Sequence, residues 1–123
     1  MAGNVTGSVN LAVKSISNVD QSVIFNRIVT GIQKVCTDSG YVYSLAIAGI
    51  FALNLPNNVI GLYVRNLDPS NTIILGNATG YAITLPITPG GVFLQFDGGA
   101  LIGVSDFQIQ TTTATIEYAW WAA

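Results

Sequence analysis

The chain has 123 residues, half of them apolar, with one cysteine and no histidine. Only 8% are charged and the formal net charge is −2, whereas an ordinary soluble domain is about 25% charged. These figures exclude an internal disulfide and any histidine-based acid–base chemistry, and they leave too few clustered cations to hold a phosphate backbone.

In chain order, Val5, Gly7, Val9, Leu11 and Val13 alternate with Thr6, Ser8, Asn10, Ala12 and Lys14, the period of a strand. Ser15 to Gln21 reads as a polar connection. Val23 to Val29 is rich in β-branched residues and is expected as a second strand, ended by Thr30-Gly31. Asn18 and Asp20 offer a helix cap in front of it, the competing reading of that run. Ile32 to Thr37 is expected as a separate strand closed by the turn residues Asp38-Ser39-Gly40. Tyr41 to Leu55 is expected as one or two buried strands broken near Gly49. Ser44, Gly49 and Asn54 interrupt it, and it falls short of the roughly 18 apolar residues of a membrane span. No stretch has the pattern of a signal peptide.

Pro56-Asn57-Asn58 is a turn, and Val59 to Phe96 then reads as a meander of apolar runs. The runs are separated by Asp68-Pro69-Ser70-Asn71, Gly76-Asn77-Ala78-Thr79-Gly80 and Thr88-Pro89-Gly90-Gly91. Within it Tyr81, Ile83, Leu85 and Ile87 are expected on one face. Asp97-Gly98-Gly99 is a hairpin signal, followed by short strands at Leu101 to Val104 and Phe107 to Gln110. In the closing strand Ala114, Ile116, Tyr118 and Trp120 alternate with Thr115, Glu117, Ala119 and Trp121. Many short strands without a long helix indicate one all-β domain over residues 1–123, an antiparallel β-sandwich or jelly-roll-like barrel.

With histidine absent, a carboxylate pair is the one catalytic device left. Asp20, Asp38, Asp68, Asp97 and Asp106 lie in connections, where Asp bonds its own backbone, and Glu117 is expected on the solvent- or subunit-facing side of the last strand. Neither Asp97-Gly98-Gly99 nor Asp68 with Asn71 has the acid spacing of a calcium loop, and Cys36 alone makes no zinc site. It reads as a small buried hydrophobe. The expectation is a protein without catalytic residues, cofactor or metal. Lys14, Arg27, Lys34 and Arg65 are scattered, so no direct nucleic-acid partner is expected.

A folded chain with so few charges has little to keep copies apart, so much of its surface is expected to be covered by other subunits. Arg65 interrupts the apolar run Gly61 to Leu67, either to serve the Asp68 turn or to pair across a subunit boundary. Trp120 and Trp121 fall on opposite faces of an extended strand, one for the core and one for a partner or a sugar ring, the competing reading being that both are buried within the monomer. Arg65, Trp120 and Trp121 are therefore the candidate subunit-interface residues.

The run Val64-Arg65-Asn66-Leu67-Asp68-Pro69-Ser70-Asn71, followed by Ile73 and Gly76, resembles a pattern in small structural proteins of tailed bacteriophages. Leu85-Pro86, Pro89-Gly90-Gly91 and Glu117-Tyr118 are similar to later turns and to the closing strand of that pattern. The apolar centre Leu45 to Leu55 and the tryptophan pair depart from it. The resemblance implies an all-β virion protein without catalytic activity, assembled in the host cytoplasm as a homotrimer or other symmetric oligomer. Its station is expected to be capsid decoration or cement in contact with the major capsid protein. A carbohydrate-binding module or a fibre or tail component that recognises a host glycan is the alternative.

Overall fold

The computed structural model describes residues 3–14, 23–77, 84–95 and 107–123. It is all-β, with its strands in antiparallel sheets, as the alternation and the turn signals require. The strands are β1 (Gly3–Lys14), β2 (Val23–Cys36), β3 (Asp38–Ala52), β4 (Val59–Asn66), β5 (Ile73–Asn77), β6 (Thr84–Ile87), β7 (Val92–Gln95) and β8 (Phe107–Ala122). They fall into two compact units, a ribbon of Asn4–Val35 and a body of Cys36–Ala123 with Gly3.

In the ribbon, β1 and β2 form a two-stranded sheet. The expected break at Thr30-Gly31 is absent, and β2 runs unbroken for 14 residues. A glycine weakens a strand but does not end it when a ladder partner is present. No described side chain between Asn4 and Val35 is buried.

The body is organised on β8. Along one side β3 pairs with it from Asp38↔Ala122 to Ala52↔Gln108. Along the other side β4 takes its C-terminal part, up to Asn66↔Ile116, and β5 its N-terminal part, from Ile74↔Gln110 to Asn77↔Phe107. β7 then adds to β4 and β6 to β5. The expected meander is thus corrected: among the described strands from β4 to β7 only β5 and β6 are consecutive neighbours, because the Asp68 loop offsets the chain along β8 instead of reversing it. Phe107 to Gln110 is no separate strand but the start of β8.

Two further expectations give way at β3. Asp38-Ser39-Gly40 is its first turn-free stretch, the bend falling on Thr37. Gly49, at φ 71°, sits at a register shift whose extra residue lies on β8, and β3 runs on through it without a break. Nor is β3 a buried strand. Its core side carries Val42, Leu45, Ile47 and Phe51, while Tyr41, Tyr43 and Ile50 are exposed.

The core gathers Val59, Leu62 and Val64 of β4, Ile73 and Leu75 of β5, and Ile109 and Ile116 of β8, all with no accessible surface. Ile87 joins them, whereas Leu85 on the outermost strand is 37% exposed. Tyr81, Ile83, the Asp97-Gly98-Gly99 signal and the Leu101 to Val104 run lie outside the described residues. So does the helix-cap pair Asn18 and Asp20.

Candidate functional site

Directly opposed residues of an antiparallel pair share a face, so the ladders lay out the outer surface of the sheet. Tyr41 of β3 and Tyr63 of β4 both oppose Ala119 of β8, forming one row. One pair further on, Arg65 of β4 opposes Glu117 of β8. On the β3 side of Glu117 the register slips. From Val42 to Leu45 the chain takes three steps while β8 takes two, from Tyr118 to Ile116, and Ser44 has φ 55°. The bulge sets Tyr43 and Ser44 together opposite Glu117.

Glu117 is therefore on the outer face, as expected, but it is not exposed; only 7% of its surface is accessible. Both carboxylate oxygens accept hydrogen bonds, from the Tyr41 hydroxyl at 3.1 Å and from the Tyr63 hydroxyl at 2.5 Å. A carboxylate removed from water is tolerable only with such partners. Burial, and then the bond to Glu117, push both phenols above their ordinary value; at Tyr63 the Arg65 guanidinium opposes the rise. Tyr41 and Tyr43 stay 62% and 65% exposed, with ring centroids 6.5 Å apart and planes inclined by 24°. Ala119 alone fills the row between Tyr41 and Tyr63, so the floor there is shallow.

Arg65 is exposed on this face and is not used at the Asp68 turn. That turn is built by Asp68 itself, whose Oδ2 accepts from the backbone N–H of Ser70 at 3.0 Å and of Asn71 at 2.7 Å. These bonds, Asn71's first, hold its carboxyl below the usual value. Asp38 likewise accepts from the Ser39 N–H. The tryptophans are placed by two glycines. Trp121 opposes Gly61 and its indole covers that glycine, and Trp120 opposes Gly40 in the same way. Trp121 is buried within the body and Trp120 is half-buried against the core. Of the three candidate interface residues, then, Arg65 alone is well exposed.

Asn66 carries the most connections, and sequence reasoning passed over it. It is fully buried. Its Nδ2 donates to the carbonyls of Asn71 (2.7 Å) and Ile87 (2.9 Å), its Oδ1 accepts from the Asp68 N–H (2.9 Å), and its own backbone bonds Gly90 and Gly91. The available signal was an amide two residues before Asp68, the spacing at which an Asx turn closes. Cys36 is buried, its thiol donating to the Gly3 carbonyl at 3.4 Å.

A shallow depression lies between β5 and β8 beside Gly49, lined by Asn71, Thr72, Ile74, Gln110 and Thr111. It offers hydroxyls and amides but no titratable side chain. Among the described residues no three His, Cys, Asp or Glu side chains converge as a metal site. No family model, curated protein or solved structure matches the chain.

Proposed function

We propose that this protein is a structural subunit of a phage particle, a capsid decoration or cement protein. It works without catalysis, by associating with copies of itself as a homotrimer or other symmetric oligomer and with the major capsid protein. The observation that carries this reading is the ribbon. Its strands are 12 and 14 residues long, no described side chain in it is buried, and Val9, Leu11, Ile28, Val29 and Val35 are 40% to 75% exposed. A two-stranded sheet alone in water is marginal at best, and exposed apolar residues along it ask for a cover.

Charge says what the cover is. The segment Asn4–Val35 carries Lys14, Arg27 and Lys34 against Asp20, whereas the rest carries Arg65 against Asp38, Asp68, Asp97, Asp106 and Glu117. A basic ribbon and an acidic body on each copy are complementary between copies. That arrangement is head-to-tail, which forms a ring where its rotation closes. The body also offers a receiving edge, because β3 pairs only with β8 among the described strands and has one charged residue, Asp38, in its 15. An unprotected edge of that length is a template for a further strand. Repetition over a lattice then makes modest contacts strong.

The test is mass measurement of the purified chain by light scattering, with mass spectrometry of particles from the producing host. A discrete oligomer and high-copy presence in the particles are expected. A strict monomer at every concentration, absent from particles, would falsify the proposal.

A further inference from the structure

We infer that the outer-face cluster of Tyr41, Tyr43, Tyr63, Arg65 and Glu117 is a binding site for an uncharged carbohydrate, a role separate from assembly. The first reason is hydrogen-bond polarity. The hydroxyl protons of Tyr41 and Tyr63 are committed to the two oxygens of Glu117. The phenol oxygen of Tyr41 therefore turns only lone pairs to the outside and calls for donors, whereas that of Tyr63 also takes a hydrogen bond from Arg65. Arg65, next along the same face, supplies donors and no acceptor. A ligand must give and receive hydrogen bonds within a few ångströms, as neighbouring hydroxyl groups of a sugar do.

The second reason is charge. Glu117 and Arg65 stand opposite each other in the ladder, so the patch has no net charge. An incoming cation meets Arg65, and an anion meets the outward-facing Tyr41 oxygen with the buried charge of Glu117 behind it. A wholly apolar partner would strip water from Arg65 and the phenol oxygens without replacing it. The third reason is the pair of rings. Tyr41 and Tyr43 present near-parallel planes 6.5 Å apart and more than three-fifths exposed. A sugar ring has an apolar C–H face to set on them and polar edges to turn toward Arg65. Alternation from Tyr41 sets Tyr43 on Glu117's side of the sheet, and the bulge at Ser44 then returns Leu45 to the core side.

The full chain is to be probed on an array of neutral oligosaccharides of hexoses, deoxyhexoses and N-acetylhexosamines, printed beside uronate, sialylated and sulfated ones. Retention on neutral members is expected, and titration calorimetry with the best of them gives the affinity. Tyr43→Ala, which touches neither the core nor the Glu117 hydrogen bonds, should weaken it about tenfold or more with melting temperature and oligomer mass unchanged. Tyr41→Phe keeps the ring and should weaken it less. The inference is overturned if no neutral glycan is held at millimolar concentration, if only acidic glycans are held, or if Tyr43→Ala binds as the parent does. Mass measurements report assembly separately, so loss of one property leaves the other readable.

Discussion

The indole of Trp121 occupies the space in which a side chain at Gly61 would begin, and Trp120 does the same over Gly40. The two tryptophans thereby grip β8 to both of its neighbours, one from each face of the sheet. Gly61→Ala should overpack this contact and destabilise the body by about 1–3 kcal/mol. Trp121→Leu alone should also destabilise it, but the double variant should recover part of the loss. Thermal melts of the four proteins give the coupling, and strictly additive losses would mean the contact is not what constrains position 61.

Asn66 joins β4 to the Asp68 loop, to the end of β6 and to the Gly90 turn. Asn66→Ala leaves two buried carbonyls and one N–H without their partner, at about 1–3 kcal/mol for each group that water does not reach. Asn66→Asp sets a carboxylate against the carbonyl of Ile87, so it should destabilise the fold more at neutral pH than in mild acid. Denaturant unfolding of both variants at two pH values distinguishes them.

Asp68 gives the acid limb of the stability curve. Its carboxyl is held below the ordinary 3.8 by the N–H groups of Asn71 and Ser70. Stability from this group is therefore complete above that value and is lost as pH falls through the lower, folded-state value. Asp68→Ala should lower the melting temperature at neutral pH and flatten its fall in acid. A fall as steep as the parent's would assign the acid limb to other groups.

The tyrosines give the alkaline limb. Tyr41 and Tyr63 are raised above 10.0 by burial and by Glu117. Their contribution is present below that value and disappears as pH rises through the folded-state values. Tyrosinate absorbance should show Glu117→Gln ionising earlier than the parent. Arg65→Ala should ionise later, because Arg65 favours the Tyr63 phenolate.

On the ribbon, Leu11→Glu combined with Ile28→Glu places charge on side chains that are 52% and 61% exposed. The body should melt as before while the oligomer dissociates, read by light scattering. An unchanged mass would move the interface elsewhere.

Strand period and turn chemistry were legible in the sequence because each is local. Val5 to Lys14 and Val59 to Asn66 form strands, and Asp68 makes its turn. The order of the strands was not legible. Asp68-Pro69-Ser70-Asn71 looks the same whether the chain reverses or, as here, steps aside and continues along β8. The site was half visible. Arg65 drew notice as a charge within an apolar run and Glu117 as the one acid on a strand, but their opposition depends on register. Tyr41 and Tyr43 were hidden because a Tyr-Val-Tyr run reads as core until the pairing of β3 shows which face is covered. Trp121 offered no sign that Gly61, sixty residues earlier, had made room for it.

Among the described strands, every backbone ladder that joins β3, β4 and β5 is made with β8. During synthesis these segments emerge first and wait, as a lone strand and two hairpin-sized fragments, for the piece that unites them. Such long-range closure is slow and leaves sticky intermediates on the way. Production in cells should accordingly depend on chaperone supply and temperature, and a ribosome stalled before Phe107 would hold a chain with nothing yet to fold around.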